Sequence, residues 1–258
     1  MVMTNFGKQY KIIKKLGHEV YLVNDKENKY YTIKKIKIYD YEENVKQIFN
    51  EIEKTLIYIS KIINDNIIKY YESEIKDNNF YILMEYAGNS DLKKFIEGYK
   101  DREIYIDEKV IKDIIIQICH GLKDIHNAKI IHRDLSPDNL FINENNKIKI
   151  GDFGIAAIIN ESNDSNNEQI GKMYYMAPEV GNGRPYNTKV DIYSLGCIIY
   201  ELFTLNVYFK DKRFYEKDCK INTDIYNPKW QELIDLLLKE DYHERPDIEE
   251  IYDKVKYY

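Results

Sequence analysis

Three residues with oxygen-bearing side chains, Asp134, Asn139 and Asp152, lie at a spacing suited to phosphoryl transfer. Asp134 and Asn139 belong to one short run, and Asp152 follows Asn139 by thirteen residues. A hydroxyl nucleophile needs a proton acceptor, and the transferring phosphate carries charge that metal ions and cations must offset. We interpret Asp134 as the candidate base and Asn139 and Asp152 as candidate Mg²⁺ ligands, because Mg²⁺ prefers oxygen ligands.

Two short motifs carry these residues, His132-Arg133-Asp134-Leu135 and Asp152-Phe153-Gly154. Together with Asn139 they resemble the catalytic loop and the metal-binding loop of eukaryotic protein kinases, whose signatures read H-R-D-L-x-x-x-N and D-F-G. The resemblance implies an enzyme that binds ATP and Mg²⁺ and transfers the γ-phosphoryl group to a hydroxyl of a protein substrate.

The resemblance extends over about residues 10–251. Residues 170–179 end in Ala-Pro-Glu and resemble the segment that docks substrates, Asp191 is placed to hold the catalytic loop by its backbone amides, and Arg245 is placed to pair with Glu179. Pro137 and the Tyr-Met-Ala-Pro-Glu ending are typical of the serine/threonine type. Residues 69–73 and 185–187 resemble the NIMA-related subgroup.

The pattern along the chain predicts an α+β fold with two lobes. Alternation predicts five strands, at residues 10–16, 20–24, 30–38, 67–74 and 79–85. Helical spacing predicts one long helix over residues 42–63 and further helices over residues 110–127 and 190–204. The resemblance implies one protein kinase domain over residues 1–258, with a small lobe holding a five-stranded antiparallel sheet and one main helix (about 1–86), a hinge (about 85–88) and a larger, mainly helical lobe (about 89–258).

Lys34 is the candidate phosphate-binding cation. Alternation places it on one strand face with Thr32 and Ile36, and the kinase lysine that binds the α- and β-phosphates lies on such a strand. Its partner would be a glutamate of the long helix. The usual spacing leads to Thr55, and one inserted helical turn leads to Glu51, which we favour over Glu53.

The resemblance also assigns an ATP-binding role to residues in both predicted lobes. Met84 stands at the back of the adenine pocket, Glu85 to Ala87 form the hinge, and Asp91 is placed to contact the ribose. Val20 would form the roof of the adenine pocket and Phe141 its floor. The whole candidate set is Gly17, Val20, Thr32, Lys34, Met84, Glu85, Ala87, Asp91 and Phe141.

One departure from the family concerns the nucleotide loop. Gly17-His18-Glu19-Val20 joins the first two predicted strands directly, where kinases carry G-x-G-x-x-G-x-V. The missing tip normally covers the β- and γ-phosphates with backbone amides. We expect weaker nucleotide binding and a slower enzyme. The alternatives are a pseudokinase that serves as a scaffold or binding domain, and an error in the gene sequence.

A second departure lies next to Asp134. The family usually has Lys at the position of Ser136 and Thr at the position of Lys172, and those two side chains meet beside the catalytic aspartate. We interpret the pair as an exchange in which Lys172 supplies the cation and Ser136 the hydroxyl. The alternative is that Ser136 marks lost activity. Arg133 is typical of kinases activated by phosphorylation, and Ser162 and Ser165 are the candidate acceptors.

Composition restricts the partners. The net charge is −6, which argues against nucleic acid or an anionic membrane surface as the main partner. Three widely spaced cysteines suggest free thiols in a reducing compartment. The sequence lacks a long apolar run and an N-terminal signal pattern. We therefore expect an intracellular monomer, cytoplasmic or nuclear, whose partners are ATP and a protein substrate.

Overall fold

A computed structural model describes residues 2–37, 45–88, 90–153, 173–208 and 220–258. The chain divides into two compact units, Met1–Asn89 and Ser90–Tyr258. The described helices include none that is long and apolar enough to cross a membrane.

The first unit contains an antiparallel sheet of six strands in the order β1-β2-β3-β4-β6-β5. The five predicted strands are all present, and the prediction missed a sixth at the N-terminus. That strand pairs with the start of β2, from Val2 opposite Lys11 to Asn5 opposite Lys8. The turn between them places Phe6 and Gly7 at positive φ. The strands are β1 (Val2–Asn5), β2 (Lys8–Gly17), β3 (Val20–Asn24), β4 (Tyr30–Lys37), β5 (Tyr70–Lys76) and β6 (Asn79–Glu85).

Helix α1 (Val45–Ser60) packs against one face of this sheet. Its buried stripe of Phe49, Ile52, Leu56 and Ile59 follows the helical period. The Phe49 ring lies 4.9 Å from the ring of Phe80 on β6. We call the face that carries Phe80 the helix-side face, and the other the opposite face.

The opposite face has an apolar cluster of its own. Its buried members are Tyr10, Val23, Ile33, Tyr81 and Leu83, and aromatic side chains at its edge cover them. Successive residues of a strand point to opposite faces, so β3 and β4 contribute side chains to both faces.

The second unit is mainly helical, with a small antiparallel sheet of order β7-β8-β9. The predicted helices over residues 110–127 and 190–204 are present as α3 and α5. The Asp107 side chain accepts a hydrogen bond from the Lys109 amide at the start of α3. The elements are α2 (Leu92–Lys100), α3 (Glu108–Asn127), α4 (Pro178–Gly181), α5 (Lys189–Thr204), α6 (Lys229–Leu237), α7 (Ile248–Lys256), β7 (Ser90–Asp91), β8 (Leu140–Ile142) and β9 (Ile148–Ile150).

Helix α5 is buried on nearly every side and forms the centre of this unit. A Cβ atom at Gly196 would lie 2.9 Å from the Leu237 Cβ, so glycine allows α5 to pack closely against α6. The fully buried Trp230 of α6 lies with its ring 5.2 Å from that of Phe203. This core supports the candidate catalytic loop, which lies between α3 and β8.

Candidate active site

Asp191, at the start of α5, anchors the candidate catalytic loop. Its Oδ2 accepts hydrogen bonds from the His132 amide at 2.9 Å and from the His126 ring at 2.8 Å. Its Oδ1 accepts one from the Arg133 amide at 2.9 Å. Asp191 is 1% exposed, so these donors replace the water that the carboxylate loses on burial. The predicted anchoring role is confirmed, and the His126 contact is an addition to it.

His132 connects the loop to the strand that precedes Asp152. Its Nδ1 accepts a hydrogen bond from the Asp134 amide at 3.2 Å, so the ring proton lies on Nε2. Nε2 then donates to the Gly151 carbonyl at 2.9 Å. The ring also lies 4.8 Å from the buried Phe153 ring. A buried histidine thus fixes Asp134 and the Asp152 segment to each other.

The side chains of Asn139 and Asp134 are in direct contact. Asn139 Nδ2 donates to the Asp134 backbone carbonyl at 2.6 Å and to Asp134 Oδ2 at 3.0 Å. Both hydrogens of the amide group are therefore engaged, and Oδ1 is directed away from Asp134. Asp134 is partly exposed and Asn139 is buried, so a fixed amide orients an accessible carboxylate.

The two candidate metal ligands are joined through the backbone. The Gly151 amide donates to the Asn139 carbonyl at 3.0 Å, which holds Asn139 beside the residue that precedes Asp152. Asp152 has φ 55° and Arg133 has φ 66°, which costs about 1–2 kcal/mol each for residues with a side chain. An amide oxygen and a carboxylate on adjoining backbone are hard donors that fit Mg²⁺.

Ser136 has an unusual environment. Its side chain is 1% exposed, and its Oγ has no hydrogen-bond partner within the part of the chain that the structure describes. A buried hydroxyl without a partner is unfavourable, so this position is suited to a donor or acceptor from elsewhere. Lys172, the predicted partner, lies outside the described residues, as do Ser162 and Ser165.

The predicted ion pair between Glu179 and Arg245 is present. The two carboxylate oxygens accept from Arg245 Nη1 and Nη2 at 2.6 and 2.9 Å. Arg245 is fully buried, and its remaining donors bond to the backbone carbonyls of Lys189, Lys239 and Glu240. All five guanidinium N–H groups are satisfied, which makes this buried charge tolerable.

A second buried contact supports the segment that contains Glu179. The Tyr175 hydroxyl donates to Glu201 Oε2 at 2.6 Å, and Ser194 Oγ donates to the Tyr175 carbonyl at 2.7 Å. Burial raises the pKa of the Glu201 carboxyl, although the Tyr175 hydrogen bond lowers it. The sequence motifs do not predict this pair, because Tyr175 and Glu201 lie in different segments of the sequence.

In the first unit, the predicted nucleotide-binding residues of the sheet share the helix-side face. Lys34 pairs with Val20 of β3 and with Ile82 of β6, and Thr32 pairs with Met84. Directly paired residues project to the same face, so Val20, Thr32, Lys34 and Met84 lie together. Lys34 is partly buried, while Thr32 and Met84 are buried. Glu51 and Glu53 are both exposed on α1.

The turn between β2 and β3 is as short as the sequence predicts. Gly17 pairs directly with Val20, which leaves His18 and Glu19 as the turn. The Glu19 carbonyl accepts a hydrogen bond from the Lys35 amide at 2.8 Å. Two residues are too few to form the glycine-rich cover that the protein kinase family, which the sequence resembles, usually carries.

The remaining candidate nucleotide residues lie at chain connections and on β8. Glu85 ends β6 and exchanges backbone and side-chain hydrogen bonds with Lys69, and Ala87 is buried. Asp91 pairs with Phe141 across β7 and β8. The Asp91 carboxylate also caps α2 by accepting from the Lys94 amide at 2.8 Å. This cap was not predicted, although Asp before a helical run is its usual signal.

Comparison with known proteins agrees with these observations. Residues 10–255 match the protein kinase domain family. The probable serine/threonine-protein kinase nek2 of Dictyostelium discoideum is 36% identical over 223 residues, which cover 81% of this chain and 52% of the relative. Human Nek5 is 36% identical over 83% of this chain and 30% of its own length, and human Nek2 is 36% identical over 76% and 47%.

The chain therefore spans about half, or less, of the length of these curated relatives. The family match covers nearly all of it and includes the catalytic loop, Asp191 and the Glu179–Arg245 pair. The chain belongs to the protein kinase family, with its relatives among the NIMA-related serine/threonine kinases.

Proposed function

We propose that this chain is an active kinase that transfers the γ-phosphoryl group of ATP to Ser or Thr hydroxyls of protein substrates. The observation that carries the proposal is the contact between Asn139 Nδ2 and Asp134 Oδ2 at 3.0 Å. This contact orients both the candidate base Asp134 and the Asn139 Oδ1. The loop that carries them is held by Asp191 through the backbone amides of His132 and Arg133. A chain kept only as a scaffold would not need this arrangement.

In the proposed mechanism, Asp134 orients the substrate hydroxyl and accepts its proton as the hydroxyl oxygen bonds to the γ-phosphorus. The bond from that phosphorus to the β–γ bridging oxygen breaks, and ADP leaves. Asn139 Oδ1 and the Asp152 carboxylate would hold Mg²⁺, which offsets the charge of the phosphates when it is bound. Lys34 would bind the α- and β-phosphates, and Glu51 would hold Lys34 in place. Most of the rate would come from positioning and electrostatics, and these residues supply both.

The nucleotide base and sugar would contact the residues assigned above. Val20, Thr32 and Met84 share the helix-side face with Lys34, which supports a common ligand for the four. Glu85 and Ala87 would bind the adenine edge through their backbone, Asp91 the ribose, Phe141 the underside of the ring, and Gly17 the edge of the phosphates. The Asp91 carboxylate already caps α2, so a ribose contact would use its remaining lone pairs.

We further propose that Lys172 and Ser136 act as an exchanged pair beside Asp134. The buried Ser136 Oγ, which lacks a partner among the described residues, supports this proposal. An ammonium group from Lys172 would satisfy that oxygen and bring a cation close to Asp134 and the γ-phosphate.

The competing proposal is a pseudokinase that binds partners without efficient turnover. The two-residue turn at His18 and Glu19 favours it, because the phosphates would lack their backbone cover. The intact set of Lys34, Asp134, Asn139 and Asp152 favours an enzyme. We therefore expect slow transfer and weak nucleotide binding.

A transfer assay distinguishes the two. Labelled ATP and a generic basic protein substrate are incubated with wild type or with Asp134→Asn, and the product is hydrolysed to identify the labelled amino acid. Phosphoserine or phosphothreonine from wild type alone supports the kinase. Equal background from both proteins supports the pseudokinase. We also infer a monomer in an intracellular, cytoplasmic or nuclear setting, which light scattering and localisation of the full protein would test.

A further inference from the structure

The short turn between β2 and β3 carries a carboxylate, that of Glu19, next to a candidate nucleotide-binding residue. Glu19 has φ 52°, a left-handed conformation that favours glycine, and it is partly buried. Its carbonyl bonds to the amide of Lys35, the residue next to Lys34. Val20, the next residue in the chain, pairs directly with Lys34. The Glu19 backbone therefore lies beside the candidate phosphate-binding lysine.

A hydrogen bond from Tyr21 determines where the Glu19 carboxylate points. The Tyr21 hydroxyl donates to Glu19 Oε2 at 2.7 Å. The Tyr21 ring packs on the apolar cluster of the opposite face, and Lys15 lies 5.9 Å from that ring. The Tyr21 hydrogen bond and nearby Lys35 and Lys15 lower the pKa of Glu19, so the carboxylate is ionised at neutral pH. The negative charge therefore lies on the side of the sheet away from Lys34.

The consequence for nucleotide binding is electrostatic. A rotation of the Glu19 side chain toward the helix-side face would bring its carboxylate toward the Lys34 side chain. There it would compete with the phosphates for the lysine and repel them, since like charges at close range disfavour each other. The backbone amides that normally offset such repulsion are missing from this turn.

We propose that Tyr21 is a positioning residue that holds the Glu19 carboxylate on the opposite face and so keeps the phosphate side of the short turn free of negative charge. This inference rests on the proposed binding of ATP by Lys34. The residue acts through Glu19 and does not itself touch the nucleotide. It explains how a chain without the glycine-rich loop tolerates glutamate at this turn.

The test compares Tyr21→Phe, Glu19→Gln and the double variant with wild type. Tyr21→Phe keeps the packed ring and removes only the hydroxyl, so the fold is preserved. Tyr31→Phe is a matched control, because its hydroxyl donates to the Asp25 carboxylate at 3.2 Å in the turn at the far end of β3. For each protein, the Kd for Mg-ATP is measured by calorimetry, and KM for ATP and kcat are measured by transfer assay.

We expect Tyr21→Phe to raise the Kd for Mg-ATP and the KM for ATP by about threefold or more with little change in kcat. These increases should be larger at low salt, where the repulsion between the carboxylate and the phosphates is screened less. Glu19→Gln should bind at least as well as wild type, the double variant should match Glu19→Gln, and Tyr31→Phe should match wild type. The inference is overturned if Tyr21→Phe binds ATP as wild type does, or if Glu19→Gln fails to rescue it. Absence of Mg-ATP binding by wild type would overturn the proposed function instead.

Discussion

Asn139 donates both hydrogens of its side-chain amide to Asp134, one to the backbone carbonyl at 2.6 Å and one to the carboxylate at 3.0 Å. One small group thereby fixes the position of the candidate base and the direction of a candidate metal-binding oxygen. The arrangement depends on a chain of buried contacts from Asp191 through His132 to Gly151. Replacement of Asn139, or of the buried residues that support it, should therefore lower activity.

Replacement of Asn139 separates its two roles. Asn139→Ala should lower kcat by about 100-fold or more, because Asp134 loses its orienting donor and the metal loses a ligand. Asn139→Asp restores an oxygen ligand but places a second carboxylate against Asp134, so we expect it to remain impaired. Asn145→Ala, at an exposed turn, is the control and should behave as wild type. Full activity of Asn139→Ala at low Mg²⁺ would contradict the assignment.

Exchange of Ser136 and Lys172 tests the second departure from the family. Lys172→Thr should abolish transfer, since the cation beside Asp134 would be lost. Lys172→Thr combined with Ser136→Lys should restore part of the activity by returning the pair to the usual family arrangement. Transfer rates of the single and double variants test whether Ser136 and Lys172 act as an exchanged pair. An unchanged rate for Lys172→Thr would show that the exchange is wrong.

Glu51 and Glu53 can be distinguished as partners of Lys34. Both are exposed on α1 and differ by two residues, so they project in different directions around the helix. Glu51→Gln should reduce kcat/KM for ATP by about 10-fold or more, whereas Glu53→Gln should leave it nearly unchanged. The reverse result would move the assignment to Glu53.

Much of the site follows from the sequence because its motifs are local. The spacing of Asp134, Asn139 and Asp152 predicts the candidate catalytic and metal-binding residues, and the sequence itself gives the length of the turn at His18. What the sequence could not show are side-chain contacts between distant segments, such as His126 with Asp191 and Tyr175 with Glu201. Their formation depends on tertiary packing rather than on local pattern.

The ends of the strands also depend on tertiary packing and are only partly predicted by the sequence. The segment Val2–Asn5 lacks a clear alternation, and it forms a strand only because β2 offers it a free edge. The strand predicted over residues 67–74 begins instead at Tyr70, since Ile67 and Ile68 are buried within the preceding connection. Because these two buried residues are apolar and β-branched, they resemble part of a strand in the sequence.

Loss of one partner of the buried Glu179–Arg245 pair should strongly destabilise the helical unit. Arg245→Met leaves the buried Glu179 carboxylate without its partner, which should lower the free energy of unfolding by about 3–5 kcal/mol. Lys239→Met removes only the exposed pair with Glu244 at 3.6 Å and should cost less than about 1 kcal/mol. Urea unfolding followed by circular dichroism measures both. Similar stability of the two variants would contradict this account.

Burial of Glu201 makes stability depend on pH. Its folded-state pKa is raised above its ordinary value of 4.5, so the folded protein binds more protons than the unfolded chain as pH rises past that value. The contribution of this group to stability is therefore larger in acid and falls as pH rises. Glu201→Gln should remove that decline, while the exposed Glu232→Gln should retain it. Identical pH profiles for wild type and Glu201→Gln would contradict the prediction.

The most direct test of an active kinase with a shortened nucleotide turn is a single-turnover transfer measurement at saturating Mg-ATP. At saturating Mg-ATP, weak nucleotide binding no longer limits the rate. The measured rate then reports the chemical step in which Asp134 takes part. We predict transfer by wild type to Ser or Thr of a protein substrate, and a rate at least about 100-fold lower for Asp134→Asn. Equal rates for the two proteins, or no transfer by wild type with bound Mg-ATP, would contradict the account.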